Sequence, residues 1–302
     1  MTSTMLRLTN ITILALLLTN CTFSAIRSAE TEHSDFLRLT REEGKKPPKS
    51  LDTAIVRYEG KPKIGEKNVL VDLIAAIHVA EKRYYEDLNE LFKNYDVVLY
   101  ELVIPEGTEV NEELFAKRKE KNGNENVLSM FQVALSDSLG LTHQLKVVDY
   151  TAKNFVHADM TAEEFLKRVA QRGDLAGVFS RAMMHSLSEQ AAAQSGRVEG
   201  RLFASLFSKN KTLTLKRIFA DEMINQMDTS MWIISGNEGS AIITDRNEIA
   251  LKRFREQIEA GKEKIAIFYG AAHLKEFAQS LQKEFQLKKT KTDWIVAWDL
   301  SK

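Results

Sequence analysis

Two histidines and one glutamate stand where an α/β protein keeps its chemistry. His78 closes the run Ala75-Ala76-Ile77-His78, and His273 closes Gly270-Ala271-Ala272-His273. Each follows an apolar stretch and precedes a helical pattern. Glu101 lies near the end of DVVLYELV (Asp96 to Val103), a carboxylate inside an otherwise apolar run. Small residues before each histidine let the backbone turn sharply and approach a ligand. Two imidazoles and one carboxylate are a recurring set for a divalent metal, with positions left for water and substrate. A bound divalent ion lowers the pKa of its water and polarises a carbonyl. Taken singly, each residue has a plainer reading. A histidine after a strand is commonly a cap or loop residue, and a buried glutamate commonly pairs with Arg or Lys. The coincidence of all three points to a site.

Further candidates are weaker. Phe155-Val156-His157-Ala158-Asp159-Met160-Thr161 puts a histidine and an aspartate at a helix start. Either Asp159 or Thr161 is the N-cap, with Glu164 completing a capping box if Thr161 holds that place. His157 is a second-rank cleft residue, and Asp149, at a predicted strand end, is a possible fourth ligand. His143 and His185 read as loop and helix-face residues, and His33 as part of a linker. No HExxH, Walker glycine loop or local Ser–His–Asp signature is present.

The elements that must position these residues alternate between the two periods. Strands are predicted at Thr53–Tyr58, Asn68–Ala76, Asp96–Val103, Leu145–Tyr150, Lys264–Tyr269 and Trp294–Asp299. Helical spacing runs from Val79 to Tyr95, about 110–121, about 125–139, and Thr244 to about Ala260, then from His273 to about Phe285. Between Thr161 and about Gln226 the pattern is helical, with a break expected near Gly196 and Gly200. The expectation is an α/β fold: a mixed or mostly parallel sheet flanked by helices, with a helical insertion at about 161–235. In open sheets of this kind ligands bind beyond the carboxyl ends of the strands, where His78, Glu101 and His273 all fall.

Composition narrows the function classes. The chain has 302 residues, 42 Lys+Arg against 42 Asp+Glu, and one cysteine. Charge balance argues against nucleic acid as a partner. One cysteine excludes an intrachain disulfide and a Cys-cluster zinc site. Arg7, the apolar run Ile11–Leu18 and the small residues around Thr22-Phe23-Ser24 resemble a signal peptide over residues 1–25, so export to the periplasm or the medium is expected. Leu18-Thr19-Asn20-Cys21 has the outline of a lipobox, with Asn20 off pattern. Residues 26–50 are polar and read as a linker before a domain at 51–300. Arg197 to Arg217 carries six Lys/Arg and one acid among Leu and Phe residues. That stretch is either a basic face for a membrane surface or a packed insertion helix. The methionines Met183, Met184, Met223, Met227 and Met231 read as core filler.

Asp72-Leu-Ile-Ala-Ala-Ile-His78, Tyr84-Tyr85, Tyr95-Asp96-Val-Val-Leu-Tyr-Glu101 and Phe268-Tyr-Gly-Ala-Ala-His273 together resemble the TraB/PrgY/GumN family, which includes the Tiki proteases and is similar in fold to EreA/ChaN-like proteins. The family pattern is two Gly-x-x-His motifs with a Glu after the first. The second motif is intact; in the first, Ala75 replaces the glycine. Asp245-Arg246-Asn247 resembles the family's Arg-Asn pair. The resemblance spans about residues 50–300. It implies an exported metal-dependent hydrolase acting on peptide or protein, with Mn, Co or Zn held by His78, Glu101 and His273. Glu101 is then either a ligand or the general base. Arg246 would hold a substrate carboxylate or oxyanion, or form a salt bridge, and Asn247 would be a site residue or a hydrogen-bonded cap. The alternative on the same fold is a non-catalytic module that binds haem or peptide.

Overall fold

The computed structural model describes residues 34–42, 47–64, 67–108, 139–191, 197–205 and 207–301. The export segment with Cys21, His33, and nearly all of the helical patterns at 110–121 and 125–139 lie outside the described residues.

The fold is α/β, a mixed sheet with helices on both faces. Its strands are β1 (Leu37–Arg41), β2 (Pro48–Gly60), β3 (Val69–Ala76), β5 (Val97–Tyr100), β7 (Phe155–His157), β8 (Lys264–Gly270) and β9 (Lys288–Asp299). The short strands β4 (Val79–Ala80) and β6 (Thr142–His143) pair with each other separately. The long strand β2 takes β9 along one edge and β1 then β3 along the other, all antiparallel. From β3 onward the order is β3-β8-β5-β7, and every pairing is parallel.

β3 and β8 read as unbroken apolar runs because both faces of the sheet are covered. Side chains alternate across a strand. Ile74, Ala76, Ala266 and Phe268 therefore enter one core, under α1 (Lys82–Phe92) with Tyr84, Tyr85, Leu88 and Phe92. Val71, Leu73, Ala75, Ile265, Ile267 and Tyr269 enter the other. That second core lies under α7 (Thr244–Glu259) and α8 (Leu274–Lys283), through Phe254, Ile258, Phe277 and Leu281. Between β7 and α7 run α2 (Ala162–Arg172), α3 (Asp174–Ala191), α4 (Arg197–Ser205), α5 (Lys211–Asn225) and α6 (Met227–Ser235). Thr161 caps α2 through a complete capping box with Glu164, and Gly173 ends it in a left-handed conformation at φ 67°.

Four expectations change. Met183 and Met184, read as core filler, are exposed on α3, more than half of each in solvent. Residues 26–50 are not linker throughout: Leu37–Arg41 pairs with Thr53–Pro48 of β2, and Phe36 and Leu37 are buried. Two apolar residues among charges give too weak a pattern for a strand whose stability comes from its partner. The predicted strand Leu145–Tyr150 is instead a 3-10 turn at Gln144–Lys146 and a bent segment. β7 takes the sheet edge beside β5, while Val148 and Tyr150 still bury, Tyr150 against Tyr100 at 5.1 Å between rings. Gly200 lies inside α4 rather than at a break. Gly196 lies outside the described residues.

Candidate functional site

β8, last of the parallel strands in sequence, enters between β3 and β5. Ala76 pairs with Gly270, and Tyr100 with Phe268. The carboxyl ends carrying His78, Glu101 and His273 are therefore neighbours.

Glu101 is the first residue after β5, and its side chain is largely buried, 14% exposed. Its Oε2 accepts from the Gly270 amide at 2.7 Å, and its Oε1 accepts from Arg246 Nη2 at 2.6 Å. Burial alone would raise the carboxyl pKa. The charges of His273, Arg246 and His78 and the Gly270 hydrogen bond outweigh it and hold the pKa at about 2. Arg246 is the permanently charged group among them and donates directly to the carboxylate, so it keeps Glu101 ionised at neutral pH.

Gly270 is a matter of room. Its φ of −50° is open to any residue, but a Cβ there would stand 3.2 Å from Glu101 Oε2. Ala75, the counterpart of that glycine in the sequence motif, lies within β3 opposite Tyr269 and is fully buried. Its backbone is ordinary strand with no positive φ, so it needs no glycine geometry.

Arg246 comes from the first turn of α7. Nε donates to Asp159 Oδ1 at 2.8 Å and Nη2 to Asp159 Oδ2 at 2.6 Å; Nη1 reaches the Ile242 carbonyl at 3.4 Å. Burial would lower the guanidinium pKa, but the Asp159 hydrogen bond and the Glu101 charge raise it on balance. Four hydrogen bonds to protein groups make Arg246 a clamp on two carboxylates, one of them the fully buried side chain of Asp159.

His273 ends a 3-10 turn at Ala271–His273 and is buried. Burial lowers its pKa to about 4. The ring is neutral at pH 7, so one nitrogen donates and one accepts. Nδ1 lies 2.6 Å from Asn247 Oδ1, while Asn247 Nδ2 donates to Glu276 Oε2 at 3.0 Å and to the His273 carbonyl at 3.3 Å. With the amide oriented that way, Nδ1 carries the proton and Nε2 keeps its lone pair. Nε2 stands 3.6 Å from Glu101 Oε1. That is too long for a hydrogen bond, and at neutral pH both atoms are acceptors.

His78 is exposed on the turn after β3. Its carbonyl accepts from the Gln144 amide at 2.8 Å, which ties the turn to β6. Its charge is felt by Glu101, by His273 and by His143. His143, opposite Val79 in the β4–β6 pair, is held at a pKa of about 4 by burial, then by His78 and Lys146. Among the described residues no group of three or more His, Cys, Asp and Glu is arranged to hold a metal ion. The fit is therefore partial. Nε2 and Oε1 present an imidazole and a carboxylate lone pair to one point, chemistry suited to a divalent ion. His78 is the exposed residue of the three.

Other candidates serve the scaffold. His157 Nε2 lies 2.6 Å from the Leu102 carbonyl. Asp149 is exposed and accepts from Thr151 in a local turn. His185 lies on α3. In the basic stretch, Lys216 pairs with Glu81 at 2.7 Å, Arg217 donates to the Leu300 carbonyl and Arg201 pairs with Asp221 at 2.6 Å. Three of its cations thus bond within the protein, whereas Phe203 and Phe207 are exposed with rings 5.4 Å apart. Two site residues escaped sequence reasoning. Asp159 read as a cap, because its partner is 87 positions away. Glu276, three residues after His273 at helical spacing, carried a readable signal.

No protein-family model matches the chain, and no curated protein or solved structure matches it.

Proposed function

We propose that the chain is an exported metal-dependent hydrolase of peptide or protein substrates, centred on His273, Glu101 and His78. One observation carries the reading. A neutral imidazole nitrogen and an ionised carboxylate oxygen, both acceptors, are held 3.6 Å apart at the carboxyl end of a parallel sheet. Oε1 already accepts from Arg246, and an imidazole lone pair facing that carboxylate is chemistry that takes a divalent cation or a water between the two. The resemblance of the two histidine motifs and the Arg-Asn pair to the TraB/PrgY/GumN family supports the same reading.

His273 Nε2 and Glu101 Oε1 would hold the ion, and His78 would complete the set from the exposed turn. A divalent ion of this kind activates water and polarises a carbonyl. The protein's own groups supply the rest. The Gly270 amide and Arg246 fix both Glu101 oxygens, and Arg246 keeps the carboxylate charged. Asn247 holds the His273 ring. Asp159 orients Arg246, so the substrate-binding role expected of Arg246 gives way to a clamp on Glu101.

The test is metal loading followed by peptide cleavage. Purified protein is incubated with Mn²⁺, Co²⁺ or Zn²⁺, metal content is measured after desalting, and a peptide library is read by mass spectrometry. One ion should be retained and peptides cut. His273→Ala, Glu101→Ala and His78→Ala should each lose metal and cleavage. Failure to retain any of the three ions, or a Soret band with no divalent metal, overturns the reading in favour of a binding module.

A further inference from the structure

We infer that Glu276 is a positioning residue that decides, through Asn247, which nitrogen of His273 carries the proton. The inference rests on the proposed site, but its central readout does not require metal or turnover.

The amide of Asn247 has two possible orientations. With Oδ1 toward His273, Nδ1 must donate and Nε2 is bare. With the NH₂ toward His273, Nδ1 must accept and the proton moves to Nε2. Asn247 is buried at 2% exposure, so solvent does not decide between them. Glu276 does. Its Oε2 accepts from Asn247 Nδ2 at 3.0 Å, and its Oε1 accepts from Thr244 Oγ1 at 3.0 Å. Flipping the amide would set Asn247 Oδ1 against an anchored carboxylate oxygen, acceptor against acceptor. The His273 carbonyl, 3.3 Å from the same Nδ2, is a neutral acceptor at longer range, so the shorter, charge-assisted bond to Glu276 carries the preference. Glu276 lies in the first turn of α8, where the helix dipole favours its charge.

The consequence falls at the other side of the ring. A proton on Nε2 would point at Glu101 Oε1 and let the two close into a hydrogen bond. With the proton held on Nδ1, two lone pairs stay opposed across 3.6 Å. Glu276 thus keeps the pair open for a third party. A ligand histidine whose second nitrogen is anchored through such outer groups commonly loses about 10–100-fold in metal affinity when they are removed.

The experiment uses the full chain with ring-¹⁵N-labelled histidine, metal-free at neutral pH. The His273 signals are assigned by their loss in His273→Gln. Wild type should show a protonated Nδ1 and a bare Nε2. Glu276→Ala should move proton density to Nε2. Glu276→Gln should restore the wild-type pattern, because its amide oxygen still accepts from Asn247 and its NH₂ can donate to Thr244 Oγ1. Mn²⁺ titration should show Glu276→Ala weaker by about 10–100-fold, with Glu276→Gln close to wild type. An unchanged tautomer in Glu276→Ala overturns the inference, as does a Glu276→Gln variant that behaves like Glu276→Ala. If Glu276→Ala does not fold, Asn247→Ala takes its place and should release the same preference; a retained Nδ1 proton there overturns the relay. A tautomer that shifts as expected while no variant, nor wild type, binds Mn²⁺ supports the relay and removes only the metal reading.

Discussion

Arg246 and Asp159 meet through two parallel hydrogen bonds, Nε to Oδ1 at 2.8 Å and Nη2 to Oδ2 at 2.6 Å. The planar guanidinium and the carboxylate match in a fork, which fixes orientation as well as charge. That geometry aims Nη2 at Glu101, whose Oε1 accepts from it at 2.6 Å. A cation from α7 thus serves two carboxylates from the ends of β5 and β7. It explains how Glu101 stays ionised in a place where burial would neutralise it.

Removing Arg246 should therefore cost stability as well as function. Arg246→Ala leaves Asp159 and Glu101 buried without their cation, a loss of about 3–5 kcal/mol for a broken buried pair. Arg246→Lys keeps the charge but loses the fork, and should fall between wild type and Arg246→Ala. Urea denaturation followed by circular dichroism measures both. Wild-type stability in Arg246→Ala would contradict the clamp.

Acid should destabilise the metal-free protein across a defined window. Burial holds His273 at a pKa of about 4 against an ordinary 6.5. Between those values the unfolded chain binds the proton and the folded one does not, so stability rises with pH. The contribution is fully present above about 6.5 and is lost as pH falls toward 4, amounting to about 3 kcal/mol at 1.36 kcal/mol per unit. His143, also at about 4, acts in the same direction. Glu101, at about 2, adds stability that is present above its ordinary carboxylate range and lost as pH falls through 2. Tm measured from pH 4 to 7 should climb, and His273→Gln should make that climb shallower. An identical slope in the variant would remove His273 from the account.

Gly270→Ala should spare the fold and injure the site. The backbone there is accessible to alanine, but the new Cβ would stand 3.2 Å from Glu101 Oε2. The carboxylate has to shift by a few tenths of an ångström, which loosens its bond to the Gly270 amide. We expect Tm within about 1–2 °C, since ΔΔG below about 0.5 kcal/mol moves Tm little in a chain of this size. Mn²⁺ affinity should fall by at least about tenfold, the lower end of what disturbed ligand support costs. Ala75→Gly, in the other motif, should leave metal affinity unchanged. Equal effects from the two would show that the motifs work alike.

Lys216 should behave as a packing residue. Its ammonium reaches Glu81 at 2.7 Å and its side chain is 10% exposed. Lys216→Ala removes a charge-assisted hydrogen bond that ties α5 to the start of α1, a loss of about 1.5–3 kcal/mol. Lys209→Ala, on the exposed turn before α5, should change stability by less than about 0.5 kcal/mol. Equal, negligible effects of both would favour a solvated basic face along the whole stretch.

Local signals reached far along this chain. The apolar runs of β3, β5 and β8, the amphipathic spacing of α1, α7 and α8, and the histidine after each apolar run are properties of neighbouring residues, so they are readable without a partner. They were enough to reach an α/β sheet and to place His78, Glu101 and His273 near strand ends. β1 was unreadable because its strand character comes from pairing with β2, and Leu145–Tyr150 misled because an apolar run buries equally well as a bent segment. Only the tertiary structure decided that β8 enters between β3 and β5, which sets His273 beside Glu101. It alone joined Asp159 to Arg246 and Glu276 to Asn247. Those links depend on atoms 2.6–3.0 Å apart contributed by residues 29 and 87 positions distant, and sequence spacing carries no record of such distances. The chemistry's participants are written locally; their protonation states, and so what they can do, are set by partners that only the fold brings within reach.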